Sequence, residues 1–110
     1  MKIWHDDVRP PPEDWVWAKN NDEAKDIFAV YGDEVVAISL DHDLGAKPED
    51  GLYARGLSED NGLKLVDWMI ETGNLPAEII IHSWNPVGAQ RMWAAFYYAG
   101  VPALVEPYRV

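Results

Sequence analysis

Apolar residues along this chain follow two rhythms, short near-continuous runs and stretches spaced at three and four, and the two alternate. Val35-Val36-Ala37-Ile38-Ser39-Leu40 and Ala77-Glu78-Ile79-Ile80-Ile81-His82 are runs of the first kind, and Lys2 to His5 is a shorter one. Such runs predict strands covered on both faces. Trp15 to Lys19 and Ala103 to Glu106 predict two more, about five in all. Between them, Ala24, Ile27, Phe28 and Tyr31 fall at i, i+3, i+4 and i+7, after Asn and Asp caps and before Gly32, which predicts a helix. Leu65, Val66, Met69 and Ile70 form the inner stripe of a second helix ending at Gly73. Met92, Trp93, Phe96 and Tyr97 form that of a third ending at Gly100. Strands alternating with helices imply an α/β fold with a mostly parallel sheet and flanking helices. Asp6 to Asp14, with Pro10-Pro11-Pro12 inside it, is short for a helical crossover, so the usual first helix is expected to be missing. Residues 45–59 form a long irregular stretch, read as a loop or lid in which Tyr53 and Arg55 would close over a substrate, or else as a disordered insertion.

Composition narrows the picture. At 110 residues the chain has the size of one domain, 1–110, and 48% hydrophobic with 25% charged residues is a globular balance. No apolar run reaches membrane-spanning length, and Met1-Lys2-Ile3-Trp4-His5-Asp6 carries acid where a secretory signal carries an apolar core, so the expected compartment is the cytoplasm. The absence of cysteine excludes a disulfide framework, a thiolate zinc site and a cysteine nucleophile. A formal net charge of −10 with scattered Lys and Arg argues against an extended nucleic-acid surface, while keeping open an acidic protein that docks on a basic partner.

In an open parallel sheet, ligands bind beyond the carboxyl ends of the strands. Three polar clusters stand there: Asp6-Asp7 after the first strand, Asp41-His42-Asp43 after the third and His82-Ser83-Trp84-Asn85 after the fourth. On extended backbone Asp41 and Asp43 would share one side while His42 faces the other. Four close carboxylates, Asp6, Asp7, Asp41 and Asp43, repel one another unless a cation compensates, and oxygen ligands of this kind suit Mg²⁺ or Mn²⁺. Aspartates after strands also serve as turn formers and caps, but two pairs at equivalent strand ends favour a metal. Arg9 is placed to clamp a phosphate or to pair with one of the aspartates. His82 can act as a general acid or base, with Ser83, Asn85 and His42 beside the substrate, and Gly88 opens a helix whose free N–H groups favour an anion. Trp4, Trp17, Trp68 and Trp93 are expected in the core, and Trp15 and Trp84 beside the crevice, where they can stack a base or sugar, although packing in the core or on the surface is the favoured reading for each.

Ile3-Trp4-His5-Asp6-Asp7-Val8-Arg9-Pro10-Pro11, Ser39-Leu40-Asp41-His42-Asp43-Leu44-Gly45 and His82-Ser83-Trp84-Asn85-Pro86-Val87-Gly88 together resemble the cyclic-phosphate-processing receiver-like family, itself distantly similar to response-regulator receiver domains. The resemblance implies a receiver-like (flavodoxin-like) fold. It also implies an acidic metal pocket of Asp6, Asp7 and Asp41, with the strand-four histidine in the site, and a role in processing nucleotides or RNA ends that bear cyclic phosphates. His5 stands where an apolar residue is expected, a departure that touches packing more than chemistry. Asp43 and His42 are additional to the receiver pattern, the first helix is lost, and no lysine lies in Ala103 to Val110, where a receiver carries its own. That weakens a phosphoacceptor role, the second reading, relative to a metal-dependent phosphoesterase. In the enzyme reading Asp41, Asp43 and His82 are catalytic, Asp43 completing the metal shell or activating water and His82 protonating the leaving oxygen, and Arg9, Ser83, Asn85 and His42 bind substrate. Oligomeric state is left open.

Overall fold

Short apolar runs pair as expected. The computed structural model describes residues 1–43 and 61–106, so the expected lid at 45–59 lies outside the described residues. Five strands, β1 (Lys2–His5), β2 (Val16–Ala18), β3 (Ala37–Leu40), β4 (Glu78–Ile81) and β5 (Leu104–Val105), form one sheet in the order β2-β1-β3-β4-β5. Every pairing is parallel. Among the described residues three helices join them, α1 (Asn21–Tyr31), α2 (Gly62–Thr72) and α3 (Pro86–Tyr98). This is a receiver-like α/β fold, and no helix separates β1 from β2.

Each helix begins on an asparagine whose side chain accepts a backbone N–H three residues on: Asn20 from Glu23, Asn61 from Lys64 and Asn85 from Gly88. Their ends differ. Gly73 closes α2 in the left-handed conformation, φ 75°, a position that suits glycine. Gly32 does not do this for α1. It stays right-handed, and the chain runs on into a 3₁₀ turn, Gly32–Glu34, before β3.

The inner stripes of all three helices share one core with one face of the sheet. Ile3, Ala18, Ile38, Leu40, Ile79 and Ile81 meet Ala24, Phe28, Leu65, Val66, Met69, Met92 and Phe96 there. Residues two apart on a strand share a face, so the opposite face carries Trp4, Trp17, Ser39, Ile80 and Leu104, which the register aligns across the sheet. Among the described residues no helix packs on that face, in contrast to the double covering that the apolar runs suggest. Near its carboxyl edge it is closed by side chains: Trp4 stacks on His82 with ring centroids 3.9 Å apart, and Trp15 meets Trp4 edge-on at 6.2 Å. Trp17, Trp68 and Trp93 are only partly buried, and Trp4 alone of the four expected core tryptophans is deeply buried, at 7% exposure.

Two glycines allow elements to approach closely at the carboxyl edge. A Cβ at Gly62 would lie 2.0 Å from the Asp41 carbonyl oxygen, and the Gly62 N–H donates to the His42 carbonyl at 2.8 Å. A Cβ at Gly88 would lie 2.3 Å from the His42 ring. α2 and α3 are thereby locked onto the segment that follows β3. Gly62→Ala is expected to cost about 3 kcal/mol, the upper range for overpacking, because its obstacle is backbone. Gly88→Ala, whose obstacle is a side chain, is expected to cost less, and chemical denaturation of the two variants checks the order.

Candidate functional site

The site grows from the turn after β1. With no helix available, the chain reverses on the Asp6 carboxylate: Oδ1 accepts the backbone N–H groups of Val8 and Arg9, each at 2.9 Å. The Asp6 carbonyl accepts the Trp17 indole N–H, and the Trp4 indole N–H donates to the Arg9 carbonyl at 2.8 Å. The prolines following Arg9 therefore hang from a turn already tied to β1 and β2. Asp6 Oδ2 faces the site, 3.0 Å from His82 Nε2 and 3.4 Å from Arg9 Nη1.

Parallel register brings the ends of β1 and β3 side by side, since His5 pairs with Leu40 and the Asp41 N–H donates to the His5 carbonyl. Asp6, Asp7 and Asp41 consequently converge, each offering an oxygen within 4.8 Å of the others. Asp6 and Asp41 are buried and Asp7 is intermediate. Asp43 is not part of this group. Extended backbone ends at Leu40, the His42 N–H turns back onto Asp41 Oδ1 at 2.9 Å, and the side chains stop alternating. As a result His42 Nδ1 meets Asp43 Oδ1 at 2.7 Å instead of facing away, and Asn85 Nδ2 donates to the same Asp43 oxygen at 3.1 Å. The expected cluster of four acids is a trio with a separate His42–Asp43–Asn85 group beside it.

Electrostatics separate the acids. Burial raises the Asp6 carboxyl, but hydrogen bonds from His82, from the backbone of Arg9 and Val8, and the Arg9 charge outweigh it and hold the group below its ordinary value. Asp41 has fewer donors. Burial first, and then the negative charge of Asp6, push it up to about 7. His82 is lowered chiefly by burial, against the pull of Asp6, so near neutral pH its contact with Asp6 is a neutral imidazole donating to a carboxylate. Its tautomer follows from that: Nε2 carries the proton, and Nδ1 accepts the Ser39 hydroxyl at 2.6 Å. Ser83 accepts the Asn85 backbone N–H and is itself 8% exposed. Arg9 pairs with Asp6, one of the two roles expected of it, and also lies over the face of Trp84, 4.8 Å from the ring centroid.

Three contributors were not identified from the sequence. Ser39, a lone hydroxyl in an apolar strand, had a legible signal in that isolation. Asn21 and Asn61 had none beyond their place at helix starts. His5, wholly buried, donates from Nε2 to Asn21 Oδ1 at 2.8 Å, because the Asn21 amide nitrogen is committed to the Asn61 carbonyl. Its Nδ1 finds no hydrogen-bond partner among the described residues, and burial, opposed by the Asn21 bond, lowers the imidazole to about 4.

Fold and acidic pocket together define a receiver-like domain with a site typical of divalent-cation binding. The chain belongs to the cyclic-phosphate processing receiver domain family, whose model matches residues 1–97. No curated protein and no solved structure shows a significant match to it. Among the described residues no helix is long and apolar enough to cross a membrane.

The shifts predict opposing pH effects on stability. Asp41, raised from 3.8 to about 7, penalises folding increasingly as pH rises through that window. His5, lowered from 6.5 to about 4, penalises it increasingly as pH falls from 6.5, and His82 acts in the same direction. Asp41→Asn removes the first effect alone. In chelator its unfolding free energy is expected to rise with pH between about 4 and 6.5 and to exceed the wild-type value at pH 8 by a few kcal/mol, at roughly 1.4 kcal/mol per pKa unit. Denaturant titrations at several pH values check this.

Proposed function

We propose that the protein is a metal-dependent phosphoesterase acting on a cyclic phosphate of a nucleotide or RNA end. The observation that carries the reading is the convergence of Asp6, Asp7 and Asp41 at the carboxyl edge of the sheet in a chain of the cyclic-phosphate processing family. Their donor set fits Mg²⁺ or Mn²⁺: all three offer carboxylate oxygens, and Asp41 is held near 7 by burial and by its acidic neighbours, a strain that a cation relieves. When bound, the cation polarises the phosphoryl group and lowers the pKa of water.

The remaining work falls to the chain's own groups. Arg9 neutralises and orients a phosphate oxygen while its backbone stays fixed to Asp6. Asp43 orients His42 through Nδ1, forming a carboxylate–imidazole pair suited to moving a proton at the reacting oxygen, and Asn85 steadies the carboxylate. Both ring nitrogens of His82 are engaged, by Ser39 and by Asp6, so in this reading it positions Asp6, in place of the leaving-group proton donor expected from the sequence. Ser83 acts on the chain beside it by fixing the Asn85 backbone.

Asp41→Asn is expected to lower hydrolysis of nucleoside cyclic phosphates by at least about a hundredfold while leaving the circular dichroism spectrum intact. Mg²⁺ or Mn²⁺ is expected to raise the wild-type melting temperature, with a much smaller effect on the variant. Undiminished wild-type turnover in excess chelator would refute the metal-dependent mechanism.

A further inference from the structure

Trp84 is the most conspicuous side chain near the site that the chemistry above leaves unused. It follows His82 and Ser83 at the end of β4, yet it is 61% exposed, in contrast to Trp4 at 7% on the same edge. Its orientation is fixed. The Arg9 guanidinium lies over it, 4.8 Å from the ring centroid, while Arg9 Nη1 reaches to 3.4 Å from Asp6 Oδ2. One guanidinium therefore spans the distance from the aromatic surface to the metal-capable carboxylates, the relation a nucleotide requires between its base and its phosphate.

Two residues further along the chain the surface stays apolar. Pro86, Val87, Gln90, Arg91 and Ala94, on the first turns of α3, line an open depression of about 440 Å³, within the size range of small-molecule sites. Val87 is 60% exposed, and Gln90 supplies an amide that can both donate to and accept from a base edge. The charge of the chain limits the length of what binds. At a net −10 with scattered cations, each additional phosphate of a longer strand is repelled.

From these features we propose that Trp84 is the stacking platform of a nucleobase subsite, and that the substrate is a single nucleoside cyclic phosphate and not the end of an RNA strand. The proposal rests on the phosphoesterase reading and names its substrate class. Arg9 holds the phosphate side and Trp84 stacks the base. Stacking on an aromatic platform tolerates any base, so the subsite selects for a base without selecting which one.

The test uses the full chain with Mg²⁺ and compares kcat/KM for adenosine cyclic phosphate with that for the corresponding base-free ribose cyclic phosphate. The wild type is expected to prefer the nucleoside by about tenfold or more. Trp84→Ala is expected to bring that ratio close to one, and Trp84→Phe, which keeps a stacking ring, to restore most of it. Equal losses on both substrates in Trp84→Ala would overturn the subsite, since Trp84 would then only support Arg9. A higher kcat/KM for an oligonucleotide ending in a cyclic phosphate would overturn the single-nucleoside assignment. Absence of turnover on every substrate would instead be a failure of the phosphoesterase reading. Calorimetry with adenosine monophosphate and ribose phosphate then reads the subsite independently, and equal binding of the two by the wild type would overturn it.

Discussion

The Asp6 carboxylate is the constraint on which the carboxyl edge of the sheet depends. Two parallel neighbouring strands are joined here by ten residues without a helix, and the reversal needs an internal anchor. Asp6 provides it by taking two backbone N–H groups on one oxygen and His82 and Arg9 on the other. A buried carboxylate is costly unless it is paired and hydrogen-bonded; the bonds from Val8, Arg9 and His82 and the Arg9 charge meet that need, so the group that shapes the loop stays ionised.

The layer beneath that carboxylate is built from neutral aromatic and hydroxyl groups. Ser39, His82 and Trp4 stand on the sheet face without a helix, and they fix the imidazole by a hydrogen bond on one side and by stacking on its ring. Burial keeps His82 neutral, so it can donate to Asp6 without adding a charge that would compete with a cation. His5 does similar work on the helix side of the sheet, joining β1 to α1 and, through Asn21, to the start of α2. Strain remains on Asp41, which burial and the charge of Asp6 push up to about 7, and a divalent ion beside it would relieve that strain.

Close backbone packing keeps the two polar groups of the site distinct. Gly62 and Gly88 let α2 and α3 come down onto Asp41 and His42, whose ring Nδ1 meets Asp43. The trio of aspartates and the His42–Asp43 pair are therefore separate arrangements, and the trio is the one typical of a receiver metal site.

The order of elements, the parallel sheet, the missing first helix and the three polar clusters after β1, β3 and β4 were all legible along the chain, because apolar periodicity and strand-end position are local properties. Local pattern also brought Asp6, Asp7 and Asp41 together, since residues at equivalent ends of adjacent parallel strands must be neighbours. It misled at Asp43 and His42. Their expected alternation assumed that extended backbone continued past Leu40, and the Asp41 side chain ends it by accepting the His42 N–H. Tertiary packing alone decided that all three helices share one face, that His82 turns inward to Asp6, and that Trp84 stays exposed against Arg9. Each of these depends on a partner many residues away, and sequence spacing carries no record of which buried donor meets which acceptor.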